Sequence, residues 1–416
     1  MSHTHRKAAP VESDGQFLFA TGIENSYPVT NGKNGHTIRR DELESTHFYQ
    51  RWREDFDLLD DLGVQYLRYG PQYYRVNPAH GRYEWDFVDE TLGRLRETGI
   101  IPIADLCHFG VPDWIGDYQN PEWPELFAEY AREFAWRYSW ITFFTPVNEI
   151  FVNATFSAKM GWWNERLTSD CAFVTALKHM SKANLRAEEE ILKVQPKAIF
   201  IQSEATSCYH ECSPRAQTRA RRENEKRFLS LDFSYGHRVN SEAYEYLMDN
   251  GLSRDEYHWF LEHGEAMRPH CIMGSDYYGG NEHWVPAEGP MESAGPVFGY
   301  AILARQYYER YGLPVMLTET NKMNAEEGPD WLHHQWACVQ ELRRVSIPVM
   351  GFTWYSLLDQ VDWDTTLRED NGRENPVGLY DLNRKPQPVR DAYKNLIAEW
   401  RDQMPMEVHY GGHGFA

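Results

Sequence analysis

Along this chain one pattern of hydrophobic and polar positions keeps returning. A short β-branched or aromatic run is followed by a polar or aromatic stretch, then by a longer segment whose apolar residues recur at helical spacing. Phe17–Ile23 is the first such run and ends on Glu24 and Asn25. The stripe Phe48, Trp52, Phe56 and Leu59 predicts an amphipathic helix, which Gly63 stops. Val64–Tyr69, Ile100–Leu106, the first part of Ile141–Ile150, Ala198–Gln202, Cys271–Met273, Pro314–Thr318 and Pro348–Trp354 read as further strands. Trp85–Glu97, Glu122–Tyr138, Ser169–Lys193 and Val389–Trp400 read as helices, and the charged span between the fifth and sixth strands has room for more than one. Eight strands alternating with helices predict an α/β fold, the (β/α)8 TIM barrel. A doubly wound sheet would alternate too, but a Gly-rich phosphate-binding turn after the first strand is missing. No linker divides the chain, so the expectation is a single domain over residues 16–405, with a disordered tail at 1–15 and a second tail at 406–416.

Composition narrows the partners. A net charge of −20 argues against nucleic acid, whose binding surfaces are basic, and against an anionic membrane surface. Six cysteines in so long a chain make no disulfide framework, and reduced thiols are expected. The first residues lack the apolar core of a signal peptide, and no apolar run is long enough to cross a bilayer, which predicts a cytoplasmic location. The sequence leaves homo-oligomerisation open.

In a parallel barrel every strand ends at one mouth, so strand-end residues share a site. Here they are Glu24 and Asn25, Arg68, His108, Asn148 and Glu149, Asp276 with Tyr277 and Tyr278, Glu319, and Trp354 with Asp359, Asp362 and Trp363 beyond it. Acids, amides and aromatic faces suit a neutral polyol, which offers hydroxyls to bond and an apolar face to stack. Two strands end on a glutamate, Glu149 and Glu319, which lie 319 − 149 = 170 positions apart, so only a closed fold brings them together. Glycoside hydrolysis needs a carboxylic acid to protonate the leaving oxygen and a carboxylate on the other side of the anomeric carbon. Either glutamate alone reads as a solvated strand-end acid. As a pair, with Asn148 before one and Arg68 available to the other, they read as functional.

Thr145-Pro-Val-Asn-Glu149 resembles the acid/base motif of family 1 glycoside hydrolases, usually Thr-Phe-Asn-Glu-Pro, and Leu317-Thr-Glu-Thr-Asn321 resembles their nucleophile motif, Ile-Thr-Glu-Asn-Gly. Ser356-Leu-Leu-Asp-Gln-Val-Asp-Trp363 is similar to their glycone loop, Ser-Leu-Leu-Asp-Asn-Phe-Glu-Trp. Tyr66-Leu-Arg68, Leu106-Cys-His108 and Ser275-Asp-Tyr-Tyr278 fall in register with three more of their strand ends. The resemblance implies a retaining β-glycosidase without metal or cofactor, acting on a small-molecule glycoside or oligosaccharide. It makes Glu149 the acid/base, Glu319 the nucleophile and Asn148 the partner of the sugar 2-hydroxyl. Tyr278 and Arg68 would hold the nucleophile; His108, Asp362 and Trp363 would grip the glycone, with Trp354 as its stacking platform and Glu24 in place of a first-strand glutamine. The chain departs from the pattern at Ile150, where proline is usual, at Asp276 for asparagine, and at Asp362 for glutamate. Trp354-Tyr355-Ser356 also carries one residue more than the usual Trp-Ser.

Two other readings stay open. A 6-phospho-β-glycosidase would need cations near the eighth strand, where Arg368 and Arg373 are the candidates. A non-catalytic sugar-binding barrel has no reason to keep both glutamates. Cys208-Tyr-His-Glu-Cys212 has metal-binding residue types but no fourth ligand at a sensible spacing. The basic run Arg215–Arg227 and the pair His333-His334 read as solvated surface.

Overall fold

Eight parallel strands close on one another in the computed structural model, which describes residues 17–32 and 35–404. They are β1 Leu18–Gly22, β2 Tyr66–Tyr69, β3 Ile101–Asp105, β4 Phe143–Thr145, β5 Ile199–Gln202, β6 Cys271–Asp276, β7 Val315–Glu319 and β8 Val349–Trp354. β8 pairs with β1 and shuts the ring, giving the (β/α)8 TIM barrel expected from the alternation. The tails expected at 1–15 and 406–416 lie outside the described residues.

Side chains alternate along each strand, and the barrel's interior shows it. Leu18, Ala20, Tyr66, Ile103, Phe143, Ile199, Ile201, Ile272, Met316 and Met350 pack together as an inner core. Further along the same faces stand Gly22, Arg68, Asp105, Thr145, Ser203 and, past Gly274, Asp276, so the layer nearest the mouth is polar. The intervening residues, such as Leu67, Phe144, Phe200, Leu317 and Phe352, face outward into the larger core shared with the helices.

Phe48–Leu62 buries Phe48, Trp52, Phe56 and Leu59, and Gly63 ends it at φ 73°, the left-handed conformation glycine adopts most readily. Asp86–Thr98, Trp123–Arg137, Asp170–Val194 and Pro388–Trp400 follow the expected bounds closely. The charged span holds four helices, Gln217–Lys226, Leu229–Ser234, Ser241–Asp249 and Arg254–Met267. Helices Gly299–Tyr311 and Gly328–Arg344 were not anticipated, nor was a small sheet of Cys208–Glu211, Glu282–Val285 and Glu292–Ser293 beside the mouth. Among the described residues no helix is long and apolar enough to cross a membrane.

Candidate active site

Glu319 is the last residue of β7. The register steps there from Leu317 opposite Ser275 to Glu319 opposite Asp276, so an extra residue, Thr318, is accommodated. Such a bulge re-aims side chains, and here it lets Thr318 and Glu319 both reach the polar layer. Glu319 is 4% exposed. Arg68 Nη1 donates a hydrogen bond to its Oε1, and the Tyr278 hydroxyl donates to its Oε2 at 2.7 Å. Arg68 also donates to Asp105 Oδ2 at 2.8 Å and to the Asn148 side-chain carbonyl. With that carbonyl fixed, the Asn148 amide faces His108 Nε2 at 3.1 Å, while His108 Nδ1 lies 2.7 Å from Asp105 Oδ2. The imidazole therefore donates at Nδ1 to Asp105. Burial would raise the Asp105 pKa, but the charges of Arg68 and His108 outweigh it and hold it below the usual value.

Glu149 follows β4 and is 8% exposed. Its backbone is left-handed at φ 39°, its N–H donates to the Ser203 carbonyl at 3.0 Å, and its own carbonyl starts the short helix Ile150–Ala154. Glu204, just past β5, accepts the Phe151 N–H at 2.9 Å and so anchors that helix from outside. No described residue donates a hydrogen bond to the Glu149 carboxyl. Burial first, then the charges of Asp276, Glu319 and Glu204, raise its pKa well above the ordinary value, against a smaller opposing effect of Arg68. Burial likewise pushes Glu204 up to about 7. These surroundings favour a protonated Glu149 beside the clamped carboxylate of Glu319.

The remaining expected residues divide. Glu24 joins the cluster: it accepts from the Ser26 N–H at 2.9 Å and from Gln360 Nε2 at 3.2 Å, and lies 4.0 Å from His108 Nε2. Trp363 is half-buried among Phe109 and Trp163, with both ring centroids at 6.1 Å, and Phe109 in turn meets His108. Its buried indole N–H has no partner among the described residues.

Trp354 does not face the site. It shares the outer face of β8 with Phe352, is buried in the core under the helices, and donates its indole N–H to the Val377 carbonyl at 2.9 Å. The next residue, Tyr355, takes the inward place: its ring is nearly parallel to that of His108 at 6.3 Å, and the Arg68 guanidinium lies 5.5 Å from its centroid. Gly22 leaves room for it, since a Cβ there would come within 2.3 Å of the Tyr355 ring.

Asp362 is the second correction. Its carboxylate is fully buried and accepts the N–H groups of Asn371 and Gly372 at 3.0 Å and of Arg373 at 2.8 Å, with Arg40 Nη2 at 2.5 Å. Three of these donors meet Oδ2 and one, the Arg373 N–H, meets Oδ1, so this fully buried acid organises its own loop.

Asp105, Ser203, Glu204, Tyr355 and Gln360 belong to the cluster without having been singled out. Asp105 left a readable signal, an acid closing the apolar run Ile101-Pro-Ile-Ala, and Tyr355 differed from the expected platform by one position. In the small sheet beside the mouth, Cys208, His210 and Glu282 bring ligand atoms within 4.8 Å of one another. The Glu282 carboxylate already accepts from Tyr277, His210, Phe298 N–H and Gly299 N–H, which accounts for its burial.

The profile of glycosyl hydrolase family 1 matches residues 21–266, more than half of the chain, and ends before Glu319. Beta-glucosidase A of Thermotoga maritima is 32% identical over 114 residues, which cover 26% of this chain and only 25% of that relative. The 6-phospho-beta-glucosidase AscB of Escherichia coli is 27% identical over 177 residues, covering 38% of this chain and 37% of the relative. A solved structure, the beta-glucosidase from Thermotoga maritima in complex with deoxynojirimycin, superposes with a TM-score of 0.77 over 92% of this chain and 98% of that one, at 19% identity, and supports the barrel fold. On the profile match, the chain belongs to glycosyl hydrolase family 1.

Proposed function

We propose that this protein is a retaining β-glycosidase that releases the terminal non-reducing sugar of a small β-glycoside, glucoside or galactoside in type, by double displacement. The observation that carries the reading is the clamp on Glu319, one oxygen held by Arg68 and the other by Tyr278, with a donor-free, buried Glu149 at the same mouth. In the first step Glu319 attacks the anomeric carbon while the bond to the leaving oxygen breaks and Glu149 gives that oxygen its proton. The ester removes the charge on Glu319, and Glu149, freed of that repulsion, takes a proton from the water that then attacks the same carbon. Asn148, aligned by Arg68, serves the 2-hydroxyl, and His108, Glu24, Tyr355 and Trp363 line the glycone.

The name of the Escherichia coli relative raises a 6-phospho-glycoside as the second reading. The cations near β8 argue for an uncharged sugar. Arg373 pairs with Asp364, Arg40 with Asp362 and Asp370, and Arg368 lies 4.4 Å from the Trp162 ring centroid.

A panel of p-nitrophenyl β-glucoside, β-galactoside and 6-phospho-β-glucoside tests both, with the first-formed anomer read by NMR. The expected result is turnover of an unphosphorylated glycoside with the β-anomer first. Glu319→Ala should lose about 10⁴-fold or more, and azide should restore turnover with inverted product. An α-anomer from the wild type, or Glu319→Ala as active as the wild type, overturns the reading.

A further inference from the structure

Asp276, the last residue of β6, is fully buried inside the carboxylate cluster. Ser203 Oγ lies 2.8 and 2.7 Å from its two oxygens, and Thr318 Oγ1 lies 2.6 Å from Oδ1. Thr318 belongs to β7 and Ser203 directly follows β5, the two strands flanking β6. Ser203 is also the residue whose carbonyl holds the Glu149 N–H, and Thr318 directly precedes Glu319. Asp276 is thus wedged between the supports of both glutamates without needing to touch a substrate. We propose that Asp276 is a positioning residue for proton traffic, a carboxylate held by Ser203 and Thr318 between the ends of β5 and β7. Its negative charge makes Glu149 a stronger proton holder as the acid of the first step and a weaker acid to be kept ionised in the second.

The charged and titratable groups facing this pair are Glu319 from β7, Glu204 after β5, Arg68 from β2, Tyr278 just beyond Asp276, and Tyr300 from the helix Gly299–Tyr311. Glu319 is tied to Arg68 and Tyr278. Burial and then the charge of Glu319 raise the pKa of Asp276 well above its ordinary value too, but Asp276 has hydroxyl donors whereas Glu149 has none among the described residues, so of these two acids Asp276 is the one that ionises first. Its charge is the largest effect on Glu149 after burial, ahead of that of Glu319. The difference matters because the charge on Glu319 vanishes when the glycosyl ester forms, whereas that on Asp276 persists. Glu149 is therefore a strong proton holder in the first step and a reluctant base in the second.

The proposal rests on Glu149 being the acid/base, and its test is separable from that assignment. Asp276→Asn keeps size and hydrogen bonding but removes the charge. With p-nitrophenyl β-glycoside, the alkaline limb of kcat/KM, which needs protonated Glu149, should move to lower pH by about one unit. The acid limb of deglycosylation, followed with a dinitrophenyl glycoside, needs ionised Glu149 and should move the same way. Thr318→Val removes one donor from Asp276, leaves it protonated to higher pH, and should give a smaller shift of the same sign. A fold defect lowers rates without moving both limbs together. Limbs that stay put, or move to higher pH, in folded Asp276→Asn overturn the proposal, and if that variant does not fold, Thr318→Val decides in the same way. The Glu149 assignment fails by a different result, equal losses of poor and activated leaving groups in Glu149→Ala.

Discussion

Glu149 and Asp362 are both buried acids at the barrel mouth, one following β4 and the other following β8, yet their surroundings are opposite. Asp362 accepts three backbone N–H groups and the Arg40 guanidinium; burial would raise its pKa, but these donors outweigh burial and lower it. Glu149 has no donor among the described residues and three acids nearby, and its pKa is raised. Burial alone therefore does not tell what a carboxyl does. A carboxylate surrounded by donors is fixed in charge and serves structure, whereas one left without them can gain and lose a proton and can serve chemistry.

The sharpest break in this contrast comes from removing the proton donor. Glu149→Ala should lose about 10³-fold on an alkyl β-glycoside, whose leaving group must be protonated, and far less in the glycosylation of a dinitrophenyl glycoside, whose leaving group departs without help. Azide should speed breakdown of the accumulated glycosyl-enzyme with retention. Rates compared across a series of leaving groups check this, and a loss that does not depend on the leaving group contradicts it.

Glu188 tests the same rule away from the mouth. It is buried in the helix Asp170–Val194, one oxygen accepts from Asn184 at 2.8 Å, and the other has no partner among the described residues. Burial pushes its pKa up to about 8. A folded-state pKa raised above the unfolded value of about 4.3 gives stability that is present below that value and is lost as pH rises towards 8. Glu188→Gln should therefore gain on the wild type by on the order of 3 kcal/mol between pH 5 and pH 8. Asp362→Asn carries the opposite sign. A lowered folded-state pKa gives stability that is present above about 3.9 and is lost as pH falls through the folded value. That variant should be less stable by about 2 kcal/mol at pH 7, and the gap should shrink in acid. Urea unfolding at several pH values checks both, and parallel pH dependences for the two variants would refute the rule.

The same contrast explains what could be read from the chain. Alternation and strand-end position are local, so the barrel, Arg68, His108, Asn148, Glu149 and Glu319 were legible before any coordinates. The helix Gly299–Tyr311 is legible too, since Tyr300, Leu303, Ala304, Tyr307 and Tyr311 form a helical stripe. What could not be read is decided between distant segments. Asp362 meets the Arg40 guanidinium across 322 positions, and its local pattern does not show that this partner turns the acid away from the site. Trp354 and Tyr355 exchange roles because the register of β8 skips Met350, passing from Val349 to Gly351 opposite consecutive residues of β7, and one such step decides which aromatic faces inward.

The smallest expected effect concerns Tyr278, whose hydroxyl supplies the uncharged half of the Glu319 clamp at 2.7 Å. Tyr278→Phe removes one donor and leaves Arg68 on the other oxygen, so Glu319 keeps its charge partner and loses only part of its alignment. A hydrogen bond to a charged group is worth about 1.5–3 kcal/mol, and with Arg68 still in place the expected fall in kcat is near the lower end, about tenfold. Because Tyr278 acts on Glu319, the fall should be the same for alkyl and dinitrophenyl glycosides as long as glycosylation is the step observed. This is the reverse of the pattern expected for Glu149→Ala. Pre-steady-state glycosylation rates on the two substrates decide it. If the alkyl glycoside suffers far more, the Tyr278 hydroxyl is helping Glu149 deliver its proton, and the division between a donor-clamped nucleophile and a donor-free acid no longer holds.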